Sequence, residues 1–289
     1  MFRLQNAGGA TATFRVGDAA PLFVKLVDKT RWRELSEAES IARWLSQHGA
    51  PAIAARDIDP PRLPNGNRVV AYPYAEGRPP SPSIEDARAL GTALARLHRV
   101  LATHPDAAGW QVRTDRRLDR LSAVRSALAE GKLAAGPRPD DLRQLAADPT
   151  IAFVPGSHRT GAARPLHGDL NIFNIVIEHG EPRFIDFEDA VHSVLSPENE
   201  LALICERVFM VQEPSDSGAA ASIDVFLNAY AEGGGDPVNR AALPDVLRGL
   251  SLRSLCTLAE IDRRGFDADE WQKFFGLLDA AERRRGIFS

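Results

Sequence analysis

The sequence predicts an α+β protein of two unequal lobes: a small strand-rich N-terminal lobe at 1–75 and a larger, mainly helical C-terminal lobe at 76–289. Three observations lead there. The first stretch reads as strands with one helix, and most of the remainder repeats apolar residues at helical spacing. Between them, Glu76-Gly77-Arg78-Pro79-Pro80-Ser81-Pro82 sustains neither rhythm, because each proline fixes φ, lacks a donor and disfavours helix in the residue before it.

Composition bounds the classes. With 44% hydrophobic and 26% charged residues among 289, the chain resembles an ordinary globular protein and not a disordered, collagen-like or coiled-coil one. Lys plus Arg (35) against Asp plus Glu (39) leaves a net charge of −4, so no basic field recommends a nucleic-acid partner. Cys205 and Cys256 are too few for a disulfide framework and form no C-x-x-C pair, which suits a reducing cytoplasm. The start Met1-Phe2-Arg3-Leu4-Gln5-Asn6 lacks a signal-peptide pattern, and no apolar run approaches the roughly 20 residues that span a bilayer, so neither export nor membrane insertion is expected.

In order along the chain, Thr11 to Val16 and Leu22 to Val27 read as strands joined by a Gly17-Asp18 turn, and Lys25 is an unexpected charge inside the second. A helix follows from about Arg33 to Gln47, with Ile41, Trp44 and Leu45 at helical spacing and Gly49 as its stop. Arg68 to Tyr72 is a further strand. Beyond the linker, Ser83 N-caps a helix through about Val100, whose buried stripe is Ala87, Leu90, Leu94, Leu97 and Leu101. Another helix covers Leu118 to Glu130, while Gly136-Pro137-Arg138-Pro139 and Pro155-Gly156-Ser157 read as loops. From Asn199 onward the pattern is helical, and no internal repeat is visible.

The chemistry concentrates in Leu166-His167-Gly168-Asp169-Leu170-Asn171-Ile172-Phe173-Asn174, then Ile175-Val176-Ile177, a Glu178-His179-Gly180-Glu181-Pro182 turn, and Arg183-Phe184-Ile185-Asp186-Phe187-Glu188-Asp189. Two short apolar strands around a Gly/Pro turn make a hairpin, and pairing brings its ends together, so Asn174 is expected close to Asp186, with Asp169 feeding the same end. Any one of these is an ordinary turn residue when taken alone. Together, an amide oxygen and a carboxylate suit octahedral Mg²⁺, and a second carboxylate beside them can accept a proton or orient a hydroxyl.

The string His167-Gly168-Asp169, four residues, Asn174, with Phe184-Ile185-Asp186-Phe187-Glu188 following, resembles the catalytic and metal-binding segment of the aminoglycoside phosphotransferase and choline kinase family. That resemblance implies a protein-kinase-like two-lobed fold. It also implies Asp169 as the catalytic base or hydroxyl-orienting residue, Asn174 and Asp186 as holders of the Mg²⁺ that bridges nucleotide phosphates, and His167 as scaffold. The segment 6–16 resembles the family's nucleotide-positioning loop, its small residues Gly8, Gly9 and Thr11 allowing close backbone approach, although a Gly-Gly hairpin turn explains it equally well.

Lys25 matches the strand lysine that contacts the α and β phosphates. Its helix glutamate is expected to be Glu37, on the Ile41 and Trp44 stripe, with Glu34 and Glu39 one step of register away. The segment 69–74, with Tyr72, occupies the place of the interlobe hinge whose backbone hydrogen-bonds adenine. Glu200 stands where the family often has an aspartate before Leu-Ala. Phe187-Glu188 after Asp186 replaces the protein-kinase Phe-Gly, and no Ala-Pro-Glu follows, which argues against a protein substrate.

The function these readings imply is an ATP- or GTP-dependent kinase that phosphorylates a hydroxyl of a small molecule. The crowding of Asp186, Glu188, Asp189, Glu198, Glu200 and Glu206 favours a cationic acceptor, an aminoglycoside or amino alcohol, unless these carboxylates are simply solvated. A nucleotide-binding scaffold without catalysis and a metal-dependent hydrolase are the competing classes. The oligomeric state is open.

Overall fold

A computed structural model describes residues 2–4, 12–17, 20–57, 59–153, 163–261 and 268–288. The chain begins with an antiparallel sheet in the order β1-β2-β3-β4, formed by Phe2–Leu4, Ala12–Val16, Leu22–Val27 and Arg68–Pro73. Between β3 and β4 lies helix α1, Trp32–Gln47, which stops at His48 and a Gly49 at φ +76°. Its buried stripe is Leu35, Ala38, Ile41, Ala42 and Leu45. Leu35 joins Val27, Ala55, Val70 and Tyr72 beneath the sheet, whereas Ala38, Ile41, Ala42 and Leu45 belong to the main core. Helix α1 therefore ties the sheet to the rest of the molecule by apolar burial.

The Pro-rich segment after β4 is anchored. Arg78 forms a two-pronged ion pair with buried Asp86 at 2.6 and 2.8 Å, and its backbone pairs with Ile177. A Cβ on Gly77 would sit 2.4 Å from the Ile177 carbonyl, so only glycine lets the linker pass there. Helix α2, Ile84–Leu101, starts where Ser83 accepts the Asp86 N–H, and it buries the anticipated leucines. Its main partner is α6, Asp216–Glu232, and the two approach so closely at Gly91 that a Cβ would meet the Phe226 carbonyl at 2.3 Å.

Helix α3 runs over Ala107–Ala129, eleven residues earlier than Leu118, because Trp110 and Thr114 are buried a turn apart ahead of Leu121. Helix α4, Pro139–Ala147, begins at a residue the sequence assigns to a loop; proline at the first helical position loses no bond there. With α7, Leu243–Ile261, and α8, Ala268–Arg283, these form a second core around Leu121, Leu128, Leu142, Leu255, Trp271 and Phe275. The short strands β5, Arg164–Pro165, and β8, Val194–Leu195, pair with each other. Helix α5, Glu198–Ile204, continues through a π-helical turn, Cys205–Met210.

The hairpin is present as β6, Ile175–Glu178, and β7, Glu181–Phe184. Its loop is shorter than the five residues the sequence suggests. His179 and Gly180, at φ 52° and 82°, make the two-residue turn, and Pro182 sits inside β7 opposite Ile177.

Candidate active site

The 166–174 loop and the hairpin converge as the spacing requires. The Asn174 carbonyl accepts the Ile185 N–H at 3.1 Å, which sets Asp186 one residue beyond the contact. The Asn174 amide nitrogen donates to the Asp169 carbonyl at 2.8 Å and to its Oδ2 at 3.2 Å. Asn171 caps the short turn Ile172–Asn174 with its oxygen and donates its amide nitrogen to the same Asp169 Oδ2 at 2.9 Å. Two amides thus hold one carboxylate oxygen of Asp169 and leave Oδ1 without a bond among the described residues. The sequence reading did not single out Asn171, although it lies inside the motif.

Asp186 carries two marks of a ligand-binding position. Its Oδ1 is buried with no hydrogen-bond partner among the described residues, and its φ of +68° is one that non-glycine residues rarely adopt. A hard cation is what such an oxygen requires, and the Asn174 amide, its nitrogen already committed, presents its oxygen as the second ligand. Among the described residues no three His, Cys, Asp or Glu side chains form a metal cluster, so phosphate oxygens and water would complete the shell.

Support comes from below. Buried Glu200 accepts the Gly168 N–H on Oε1 and the His98 Nε2–H on Oε2 at 2.7 Å, while His98 Nδ1 accepts the Tyr230 hydroxyl at 2.9 Å. Burial alone would raise the Glu200 carboxyl, but the His98 hydrogen bond, the electrostatic pull of the neighbouring His98 and His167 rings and the Gly168 amide outweigh it and hold the carboxyl below its usual range. Glutamate in place of the family's aspartate still reaches the loop backbone. Gly168, at φ +92°, has no room for a Cβ, which would lie 2.3 Å from Ser193 Oγ. His167 is wholly buried, donates to the Ile185 carbonyl at 2.9 Å and packs on Phe187, a scaffold position.

On the sheet side, Lys25 lies in the middle of β3 opposite Val70, its ammonium 5.6 Å from the Tyr72 ring centre and in no ion pair among the described residues. Glu37 is not its neighbour: it reaches away to Arg113 of α3 at 2.7 Å. Glu39 faces inward instead, accepting the Tyr72 hydroxyl at 2.6 Å and the Ala55 N–H at 2.8 Å. Burial raises the Glu39 carboxyl, with Tyr72, Ala55 and Lys25 opposing and Asp186 adding to the rise, so these groups share one electrostatic neighbourhood. The physical reason is rotation. The buried stripe of α1 is 35, 38, 41/42 and 45, with Trp44 only half-buried, and this turns Glu39 toward β4 and Glu37 outward.

Tyr72 also differs from the hinge expectation. Tyr74 N–H donates to the Pro21 carbonyl across the Leu22 and Pro73 pair, so by the alternation of an antiparallel ladder Phe23 and Tyr72 exchange both backbone bonds. The Tyr72 backbone is spent inside β4. Burial and Glu39 push its phenol far up, so it acts as a neutral donor. Gly8, Gly9 and Thr11 lie outside the described residues.

Glu188, two residues after Asp186, pairs with Arg31 just ahead of α1. Its carboxyl is raised by burial and by Asp186, against Arg31 and Lys25. It therefore belongs to the same cleft, a role its exposed-looking position in an acidic run conceals.

A family model described as the phosphotransferase enzyme family matches residues 4–243. The chain belongs to that family. No curated protein sequence matches it significantly. Among solved structures it is similar to an amicoumacin kinase in complex with AMP-PNP, Ca²⁺ and Ami, at 18% identity and a TM-score of 0.61 over 98% of this chain and 88% of the other. It is also similar to a spectinomycin phosphotransferase with ADP and spectinomycin (14%, TM-score 0.58, 99% and 92%). A third is a choline kinase from Cryptosporidium parvum Iowa II (13%, TM-score 0.59, 99% and 90%). The fold is that of the protein-kinase-like small-molecule kinases, and the chain is a small-molecule kinase.

Proposed function

We propose that the chain transfers the γ-phosphoryl group of ATP or GTP to a hydroxyl of a small molecule, with Asp169 as the base. The observation that carries this reading is the Asp169 carboxylate, one oxygen pinned by Asn171 and Asn174 and the other, like the buried Oδ1 of Asp186, without a bond among the described residues. Oδ1 aligns the acceptor hydroxyl and receives its proton as the oxygen attacks phosphorus and the bond to the nucleoside diphosphate breaks. Asn174 and Asp186 would hold Mg²⁺, which supplies charge neutralisation across the phosphates when bound. Positioning and electrostatics provide the rest of the rate.

In this reading Lys25 binds the phosphates as a point charge, oriented by Glu39 and the Tyr72 ring. Gly8, Gly9 and Thr11 cover the phosphates, and the adenine contact passes from Tyr72 to Ala75, whose backbone takes no bond among the described residues. Residues 1–75 and 76–289 act as two lobes around the nucleotide. Two buried free thiols, Cys205 and Cys256, suit the cytoplasm as the site of action.

The test is ADP release across hydroxylated acceptors with mass detection of a phosphorylated product. Saturable, acceptor-dependent release supports the reading. Tight nucleotide binding without turnover on any acceptor would instead favour a scaffold, and phosphate release without an acceptor a hydrolase.

A further inference from the structure

Beneath the 166–174 loop lies a cavity of about 120 Å³, between α3, β8, α5 and α7, on the seam of the two cores. Gly168 forms part of its wall, next to Asp169. Two guanidiniums line it, Arg117 and Arg253. Arg253 is only 8% exposed, and its partners are the Phe153 carbonyl at 2.6 Å and the Asn199 side-chain oxygen at 2.7 Å. Neither is charged, and among the described residues Arg253 has no ion pair. A buried charge without a counter-ion is costly, and structures rarely keep one that nothing uses.

The other charges of the cavity do not neutralise it. Glu200 is the lining carboxylate, and both of its oxygens are committed, one to Gly168 and one to His98. Arg117 is paired with Asp189 at 2.7 Å and stands half-buried. Burial, and after it the Arg117 charge, pushes the Arg253 guanidinium down to about 10. Burial followed by Arg117 likewise lowers His192, so it lines the wall as a neutral ring. Of the acidic residues that suggest a cationic acceptor, Glu188, Asp189 and Glu200 already have partners within the protein, and Glu198 does not line the cavity.

We infer that this cavity binds an anionic oxygen group, carboxylate or phosphate, carried by the phosphoryl acceptor, with Arg253 as its counter-ion and Arg117 at the entrance. The inference rests on the kinase reading for the word acceptor and on the cavity alone for the anion. A planar guanidinium fork matches either group bidentately, and one carbonyl and one amide oxygen leave N–H capacity for it. The acceptor is thereby a hydroxylated acid and not an amine.

The experiment uses the full chain with Mg²⁺ and AMP-PNP, which tests the kinase reading separately through nucleotide binding. Thermal shift is recorded against inorganic phosphate, then against glycerate, glycerophosphate, glyceramide and aminopropanediol, a set that shares hydroxyls and differs in charge. Wild type is expected to be stabilised saturably by phosphate and by one of the two acids, and which acid distinguishes carboxylate from phosphate. Arg253→Gln should weaken this at least tenfold and Arg253→Lys less, as expected for loss and retention of a charge-assisted bond. Should Arg253→Gln not fold, Arg117→Gln is expected to weaken the same response. No response of wild type to any anion, an equal response in the Arg253→Gln protein, or stronger stabilisation by the amine overturns the inference. Failure of AMP-PNP to bind, with the anion response intact, overturns the kinase reading instead.

Discussion

The two sides of the cleft are built on opposite principles. On the loop side Asn171, Asn174, His167, Gly168 and Glu200 are fixed through backbone and side-chain bonds, which leaves Oδ1 of Asp169, Oδ1 of Asp186 and the Asn174 amide oxygen without a bond among the described residues. On the sheet side Lys25 has no ion pair among the described residues, Glu39 is a carboxylate pushed up by burial, and Arg31 reaches across to Glu188, another carboxylate that burial raises. The loop side is preorganised for a bond-making geometry. The sheet side is an arrangement of incompletely compensated charge that a polyphosphate and its metal would complete.

Substitutions on the loop side should therefore act on turnover and those on the sheet side on nucleotide affinity. The largest expected effect is Asp169→Asn, which should lower kcat by about 10²–10⁴-fold, the ordinary worth of a positioned general base, with nucleotide affinity unchanged. Steady-state kinetics alongside nucleotide titration checks this. Next is Asp186→Ala, expected to abolish Mg²⁺-dependent nucleotide binding, as a fluorescent-nucleotide titration with and without the metal would read.

Glu39→Gln should raise the nucleotide KM by roughly tenfold, as loss of a charge-assisted contact does, while Glu37→Gln leaves it within about twofold because Arg113 is its only described ion-pair partner. Equal effects would remove the assignment of Glu39.

Glu200 tests the loop's support through pH. Its folded carboxyl lies below the ordinary value, so its contribution is present above the unfolded pKa and is lost as pH falls through the folded one. Urea unfolding of wild type should therefore lose stability below about pH 4.5, and Glu200→Gln should flatten that part of the profile while lowering stability at neutral pH by about 3 kcal/mol, because the amide keeps one acceptor oxygen and leaves one of the His98 and Gly168 donors facing its NH₂ group. The smallest effect belongs to Glu206, on the π-helical turn that continues α5. Burial pushes its carboxyl up to about 7, so the folded state holds a proton the unfolded chain has released, and stability declines from about pH 4.5 to 7. Glu206→Gln should be more stable than wild type at pH 8 by roughly 2 kcal/mol, measured by the same unfolding series.

The asymmetry also explains what could be read from the sequence. Asp169, Asn174 and Asp186 come together through local chain, a loop and a hairpin legible from its apolar strands, although the turn is the two residues His179 and Gly180 where the sequence suggests five. Lys25 was legible as a charge in an apolar strand. Its partner was not, because Glu37 and Glu39 differ only in the rotation of α1, and that rotation is set by packing on α2 and on β4, not by the Ile41 and Trp44 spacing. Tyr72 failed for a similar reason, since where a strand ends depends on its neighbour's ladder, and β3 carries β4 through Pro73. The early start of α3 and the whole of α4 were hidden by Gly109 and by prolines whose cost vanishes at helix starts. Arg253 lay in an unremarkable helix, and only the tertiary structure shows that no carboxylate among the described residues comes to meet it.

The proposal at the centre is that Asp169 takes the proton of the acceptor hydroxyl as the nucleotide's γ-phosphoryl group moves to that oxygen. Its most direct test is single-turnover transfer by wild type and Asp169→Asn, with Mg²⁺-nucleotide bound to both at matched occupancy. Wild type should yield ADP and phosphorylated acceptor in equal amounts, and the variant neither. Equal transfer by the variant, or ADP formed by wild type with no phosphorylated acceptor, would contradict it.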